Sequence, residues 1–113
     1  MKSDAYRLER ISAVGHQLLQ VIGSRSITRD MLIRDFETQW LVTTPLYNIG
    51  EQANCLSLEF VESHPGVPWV QIAGLRHRLV HDYEGTNWNM IAAVVFDELA
   101  PFIERVDDLL ASG

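Results

Sequence analysis

The sequence predicts an all-α fold, a bundle of four main helices with one or two short helices between them. Apolar residues recur at three- and four-residue spacings through most of the chain, and residues typical of N-caps precede several of these segments. The β-branched run "IAAVVF" is the best strand candidate, but it lies inside a longer helical pattern. At 113 residues, the chain is expected to form one domain, residues 1–113, around a single core.

The first half of the chain is expected to contain two long helices with a short one between them. Leucine, isoleucine and valine follow a 3.6-residue rhythm from about Asp4 to Ile22, and Gly23 ends this helix. Thr28 is a plausible N-cap for a short helix in "TRDMLIRDF". A long helix should follow from about Asp35 to Leu56. Pro45 lies inside it and should bend or break it, because proline lacks an N–H and crowds the preceding turn.

The second half predicts one short helix and two long ones. Ser57 can cap a short helix, "LEFVES", which stops at "HPGVP". Pro68 is well placed as the first residue of the next helix, which should reach about Tyr83. Gly85 ends that helix, and the last one runs from Asn87 to about Leu110.

Composition places the chain among globular proteins, with 47% hydrophobic and 21% charged residues. The longest apolar run, Met90 to Phe96, has seven residues and the segment "MKSDAYRLER" lacks an apolar core, so neither a membrane span nor a signal peptide is expected. The single cysteine, Cys55, forms no disulfide framework and is expected to be a small buried hydrophobe. These observations favour a cytoplasmic protein.

The formal net charge of −6 argues against general binding to polyanions. A role with nucleic acid would therefore need a local basic cleft, and Arg76 with Arg78 is the obvious place for one. Both belong to "RHRLVHDY", which concentrates two arginines, two histidines, an aspartate and a tyrosine in eight positions.

Helical geometry separates the ionisable residues of this segment within one chain. Each residue turns ~100°, so Arg76 and Tyr83, seven positions apart, lie on nearly the same line of the helix. His81 falls about 140° around from Arg76. Two copies that face each other across a two-fold axis could bring these groups together.

Other interpretations of the same residues remain open. His77 and His81 have the four-residue spacing of a two-histidine metal pair, but no third ligand is evident, so no metal site is predicted. His81 could also interact with carbonyls at a helix end. A further alternative is a solvated face in which the arginines pair with nearby carboxylates: Arg76 and Arg78 with Asp82 or Glu84.

Glu51 belongs to a regularly spaced set of residues on the third predicted helix. Phe36, Trp40 and Tyr47 precede it at helical spacings, which predicts a buried stripe. A carboxylate in such a stripe is costly unless it is paired. Glu51 should therefore either brace Arg76 or Arg78 or make a direct functional contact, and both place it near the cleft. Asn48, about one turn earlier, is a weaker candidate.

The motif R-x4-H-x-Y, formed by Arg76, His81 and Tyr83, stands in a longer recognisable segment from Ile49 to Trp88. An I-G-E-x-A-N helix, a short capped helix and an H-P-x-x-P-W turn precede "GLRHRLVHDY". In this order the segment, about a third of the chain, resembles the HepT-like toxin family of the HEPN superfamily. Asparagine is usual after the motif arginine in that family, and His77 replaces it here.

The resemblance implies a HEPN-type up-down helical bundle that forms a homodimer and cleaves RNA without a metal or cofactor. It implies the toxin of a type VII toxin–antitoxin system, whose partner antitoxin is a minimal nucleotidyltransferase. Arg76 and His81 would be the catalytic pair, and Tyr83 would accept AMP from the antitoxin. The remaining candidates would support the cleft: Glu51, Asn48, His77 and Arg78.

Two alternatives use the same helical dimer without RNA cleavage as its main task. In the first, the dimer is a non-catalytic module that binds a nucleotide or a partner protein. In the second, Tyr83 is chiefly the substrate of a nucleotidyltransferase and cleavage is vestigial. The complete set of Arg76, His81 and Tyr83 favours the toxin, because a scaffold has no need of all three.

Overall fold

Helices account for most of the residues that the computed structural model describes, namely 2–80 and 85–112. In chain order the elements are α1 (Asp4–Ser24), α2 (Arg29–Arg34), α3 (Phe36–Asn54), α4 (Leu58–Ser63), α5 (Trp69–Val80), α6 (Trp88–Ala93), a π-helical turn (Val94–Glu98) and α7 (Leu99–Ser112). No strand occurs within these ranges. The predicted all-α bundle, with its two short helices α2 and α4, is confirmed.

The predicted N-caps begin the helices that they were expected to begin. The side-chain oxygens of Thr28, Ser57 and Asn87 each accept a hydrogen bond from the backbone N–H three residues later. Each bond satisfies one of the N–H groups that a helix start leaves without a partner, and such a cap typically contributes about 1 kcal/mol.

Pro45 was predicted to bend or break its helix, and Pro68 was predicted to be the first residue of the next helix. The helix α3 continues through Pro45, so the proline does not break it. Pro68 occupies the N-cap position of α5 rather than its first turn, because its carbonyl accepts the N–H of Ile72 and the helix begins at Trp69. Its missing N–H costs nothing there.

The helix α3 lies at the centre of the bundle, with α1 and α5 packed against it, while α7 packs on α1. One side of α3 is buried: Thr38, Val42, Leu46, Ile49 and Ala53. The four apolar residues among them join a core cluster that includes residues from α1, α5, α6 and α7. Burying a leucine or isoleucine side chain contributes about 1.5–3 kcal/mol, so this face fixes how α5 lies on α3. No helix in the described part of the chain is both long and apolar enough to cross a bilayer.

The opposite side of α3 is exposed, and the prediction of a buried stripe there is wrong. Phe36 is 57% exposed, Trp40 60% and Tyr47 37%. We call these three residues the aromatic stripe. Cys55, at the end of the same face, is also exposed rather than buried. Helical spacing identifies a common face, but it does not say whether another element covers that face.

The π-helical turn joins α6 to α7 in one continuous helical segment. Two of its carboxylates reach other helices. Asp97 accepts a hydrogen bond from Arg29 of α2 at 2.5 Å, and Glu98 accepts one from Gln71 of α5 at 2.9 Å. The turn therefore ties the C-terminal helices to both α2 and α5.

Candidate active site

The backbones of α3 and α5 approach each other closely at Gly50. A Cβ atom on Gly50 would lie 2.9 Å from the amide nitrogen of Arg76 and 3.1 Å from the carbonyl oxygen of Ile72. Both neighbours are backbone atoms of α5, which cannot rotate away as a side chain can. The absence of a side chain at Gly50 therefore sets the distance at which α5 presents Arg76.

The next residue along α3 contacts the Arg76 side chain. Nη1 of Arg76 donates a hydrogen bond to Oε2 of Glu51 at 3.2 Å. The predicted brace between Glu51 and an arginine is thus present, and its partner is Arg76. The two side chains are 38% and 34% exposed, so the ion pair contributes no more than about 1 kcal/mol to stability. Its main physical effect is to orient the guanidinium group. The contact uses only one of the five N–H donors of that group.

Arg78 lies on a different face of α5. It is about 200° around the helix from Arg76 and exposed, and it lines a groove of about 820 Å³. Trp69, Val70 and Met90 give this groove a mainly apolar wall. One copy of the chain therefore does not bring the two arginines into a common cleft.

Two further candidate site residues, Asn48 and His77, lie on α3 and α5. His77 is exposed on α5. Asn48 is half-buried on α3, about one turn before Glu51. Its Oδ1 atom has no hydrogen-bond partner in the described part of the chain. Among residues 2–80 and 85–112, no three or more histidines, cysteines, aspartates or glutamates are grouped so that they could hold a metal ion.

The remaining predictions fall on residues 81–84, outside the described residues. These predictions are His81 as a catalytic residue, Tyr83 as the AMP acceptor, Asp82 and Glu84 as alternative acidic partners, and the last turn of the helix predicted to begin at Pro68. Their assigned roles stay predictions.

Two contributors to the site escaped the sequence analysis. The first is Gly50, which belongs to the I-G-E-x-A-N segment. A glycine inside a helix costs about 1 kcal/mol relative to alanine, so its presence there signals a packing requirement. Gln52 is buried and accepts a hydrogen bond at 2.9 Å from Nη1 of Arg7 in α1. This bond ties the Glu51 turn of α3 to α1, so the brace of Arg76 is held from both neighbouring helices.

Gly50→Ala is expected to lower the free energy of unfolding by about 1–3 kcal/mol, because the added methyl group presses on the backbone of α5. The same displacement should reduce any activity that depends on Arg76. Gly74→Ala is the matched control on α5, since a Cβ there meets nothing within 4 Å in the described chain. It should be neutral or stabilising by about 0.5–1 kcal/mol. Urea denaturation followed by circular dichroism measures both changes, and equal stabilities would contradict this account of Gly50.

Comparisons with known proteins agree with the family resemblance. The family described as "Ribonuclease HepT-like" matches residues 6–109. A Methanocaldococcus jannaschii protein named "Putative RNase" is 31% identical over 87 residues, which cover 77% of this chain and 72% of that protein. A Caldanaerobacter subterraneus subsp. tengcongensis protein, also named "Putative RNase", is 39% identical over 62 residues, 55% of each chain.

A third relative carries the family name itself. A Thermococcus cleftensis protein named "Probable ribonuclease HepT" is 30% identical over 76 residues, 64% of this chain and 69% of that protein. No solved structure matches the chain. Because the family match extends over nearly all of α1 to α7, including Gly50, Glu51 and Arg76, this chain belongs to the HepT-like ribonuclease family.

Proposed function

We propose that this protein is a metal-independent endoribonuclease whose catalytic groups are Arg76 and His81, at a cleft between two copies of the chain. The observation that carries this proposal is the setting of Arg76. Close backbone packing at Gly50 and the hydrogen bond to Glu51 give the motif arginine a defined orientation at a partly exposed position. A merely solvated arginine needs neither.

The chemistry suits these residue types. In metal-free cleavage the ribose 2′-hydroxyl attacks the adjacent phosphorus, the bond to the 5′-oxygen breaks, and protons move off the nucleophile and onto the leaving oxygen. Histidine, with an ordinary pKa near ~6.5, can exchange such protons near neutrality, and this help is worth roughly 10²–10⁴-fold. Arginine stays charged and can bind two phosphate oxygens at once, which stabilises the negative charge that accumulates on them.

A homodimer completes the proposed site. If α5 continued as a regular helix, His81 would lie about 140° around it from Arg76, so one copy would turn the two groups apart. A facing copy supplies the same pair again across a two-fold axis. It also gathers several cations in one cleft, so that a chain of net charge −6 can bind RNA locally. Since the proposed substrate is cellular RNA, we place this activity in the cytoplasm.

We further propose that the protein is the toxin of a type VII toxin–antitoxin pair, controlled at Tyr83 by a cognate minimal nucleotidyltransferase. The phenol oxygen of Tyr83 would attack the α-phosphorus of ATP, lose its proton and displace pyrophosphate. The AMP that remains adds a bulky base and a negative charge beside His81. Both would keep an RNA phosphate away from Arg76.

His81→Ala tests the proposed catalysis directly. The purified protein should cleave RNA, and the His81→Ala variant should lose that activity by at least roughly 10²-fold while its helical circular dichroism is unchanged. A metal chelator should leave the rate of the unmodified protein as it was. Fully active His81→Ala protein would refute the assignment, and loss of activity with the chelator would revive the His77–His81 metal pair.

The alternative of a non-catalytic binding module has one feature in its favour. The apolar groove of about 820 Å³ beside Arg78 is large enough for a nucleotide-sized ligand, and one arginine could meet a phosphate there. This alternative expects nucleotide binding that Arg78→Ala weakens, with no RNA cleavage under any condition. The third interpretation, vestigial cleavage with an AMP-accepting Tyr83, expects modification by the nucleotidyltransferase and equally no cleavage.

A further inference from the structure

Large hydrophobic side chains are exposed along one line of α3. Besides the aromatic stripe, Met31 of α2 is 38% exposed and shares a groove of about 530 Å³ with Trp40. Phe36 and Trp40, at the N-terminal end of the stripe, pack edge to face with ring centroids 4.9 Å apart. This contact fixes the orientation of both rings. Large hydrophobic side chains exposed on one face of a small domain indicate an interaction site.

We infer that the aromatic stripe of α3 is the surface through which two copies of this chain meet, with the two-fold axis passing near Tyr47. This inference deepens the proposed function, since it assigns a surface to the homodimer on which that function rests. In a two-fold contact the same patch meets itself, and an axis that crosses α3 near Tyr47 makes the stripe of one copy run antiparallel to the stripe of the other.

The charges around the stripe argue against a polyanionic occupant. Asp35 caps α3 and Glu37 lies in its first turn, and both line the groove beside Trp40 together with Arg25. Farther along the same face, the carboxylate of Glu51 is paired with Arg76. The groove beside Trp40 thus carries more carboxylates than basic groups, whereas RNA or an anionic membrane would need the reverse; the aromatic rings of a second copy need neither.

The exposed area fits a dimer contact. Aromatic side chains bury 150–250 Å² each when covered, so the exposed parts of the stripe and Met31 together offer on the order of 400 Å² per copy. A stable interface buries about 800 Å² per partner. These four side chains alone would supply roughly half of it, and polar residues around them can complete the rim.

The position of the axis follows from the proposed catalysis. Glu51 lies four residues beyond Tyr47, or ~6 Å along α3. An axis at Tyr47 places the two Glu51 residues ~12 Å apart along the helix direction, with antiparallel α3 helices 8–10 Å apart, so that both Arg76–Glu51 pairs border one cleft. An axis at Phe36 would separate the same pairs by more than ~40 Å along the helix, too far for a shared site.

The first test measures the mass of purified variants by light scattering. The unmodified chain should have twice the monomer mass of 12.9 kDa, and Trp40→Asp and Tyr47→Asp should each shift it to the monomer with unchanged circular dichroism. Val70→Asp is the matched control, because Val70 is 83% exposed but lies on α5, away from the stripe. It should remain dimeric. If Trp40→Asp and Tyr47→Asp both remained dimeric, the inference would be overturned, even if these variants no longer bound RNA.

Cross-linking gives a second measurement that does not depend on disrupting the dimer. In a Cys55→Ser background, Tyr47→Cys should form an intermolecular disulfide on oxidation, because a residue at the axis meets its own copy. Phe36→Cys should not, since eleven residues from the axis place the two copies of this position ~30 Å apart along the helices. Cross-linking through position 36 but not 47 would refute the assigned axis.

The outcomes separate this inference from the proposed function. A dimer that depends on another surface, while RNA cleavage still requires His81, would remove the stripe assignment and leave the nuclease intact. An unmodified chain that is monomeric at micromolar concentration yet cleaves RNA would remove both the stripe and the two-copy site. A dimer held by the stripe that cleaves no RNA would leave the surface assignment standing alone.

Discussion

Replacing Arg76 by alanine is expected to slow RNA cleavage by about 10²–10³-fold, the usual loss when one donor to a transition-state oxyanion is removed. Because the Arg76–Glu51 pair is partly exposed, the same change should cost no more than about 1 kcal/mol of stability. Single-turnover cleavage of a labelled RNA, with circular dichroism as a folding check, measures the two effects independently. A large loss of activity with a small loss of stability is the signature of a residue that acts in the reaction.

Arg78→Ala is the matched control for that experiment. It removes the same side chain from the same helix, two residues away and on a different face. Its cleavage rate should remain within a few-fold of the unmodified protein, since one exposed charge changes binding modestly. Arg76→Lys keeps the charge but not the planar fork, so it should recover only part of the rate. Equal losses from Arg76→Ala and Arg78→Ala would contradict the division of α5 into two functional faces.

Co-expression with the cognate nucleotidyltransferase is expected to add whole AMP units to Tyr83 and to abolish growth arrest. Tyr83→Phe keeps the aromatic ring and removes only the acceptor oxygen. That variant should therefore remain as toxic as the unmodified protein while it escapes silencing by the partner. Intact-mass measurement followed by peptide mapping identifies the modified residue.

Two controls make the Tyr83 experiment decisive. A catalytically inactive nucleotidyltransferase should leave the protein unmodified and active, which separates modification from simple binding. Tyr47→Phe removes the hydroxyl of another exposed tyrosine and should not prevent silencing. AMP found on a residue other than Tyr83, or a Tyr83→Phe protein that the partner still silences by modification, would refute this mechanism of control.

Local signals along the chain predicted the helices well. Caps depend on one side chain and a backbone N–H three residues away, so Thr28, Ser57 and Asn87 were identifiable without knowledge of the fold. The pairing of Glu51 with an arginine was predicted because its stripe was expected to be buried, and the pair is present although that stripe is exposed. The choice of Arg76 over Arg78 depends on how α5 is rotated against α3, which is a tertiary property.

The aromatic stripe shows what local signals leave open. Two lines of α3 carry large apolar residues at helical spacings, one through Leu46 and one through Trp40, and either could face the core. Packing decided between them: Gly50 and the aliphatic line allow α5 to come close, whereas the bulky rings would hold it away. Gly50 itself was visible in the sequence, but its purpose depends on which backbone atoms lie opposite.

The Glu51–Arg76 contact also changes the expected charge of the site. The sequence suggested a cleft dominated by cations, but each Arg76 has a carboxylate partner that offsets its charge locally. In the proposed site an RNA phosphate would share the guanidinium group with Glu51, so Glu51→Gln should bind RNA more tightly at low salt while orienting Arg76 less firmly.

The π-helical turn between α6 and α7 gives the chain a place where its length is free to vary. Each hydrogen bond in such a turn spans five residues instead of four, so the helix holds one residue more than a regular one over the same stretch. If this turn became regular α-helix with no residue removed, every later residue would rotate by about 100° relative to α6. Phe102, Ile103 and Val106 would then turn away from the core. A codon deleted within the turn would instead leave a regular helix in which α7 keeps its orientation, so the chain can lose one residue here without any change in the apolar residues of α7.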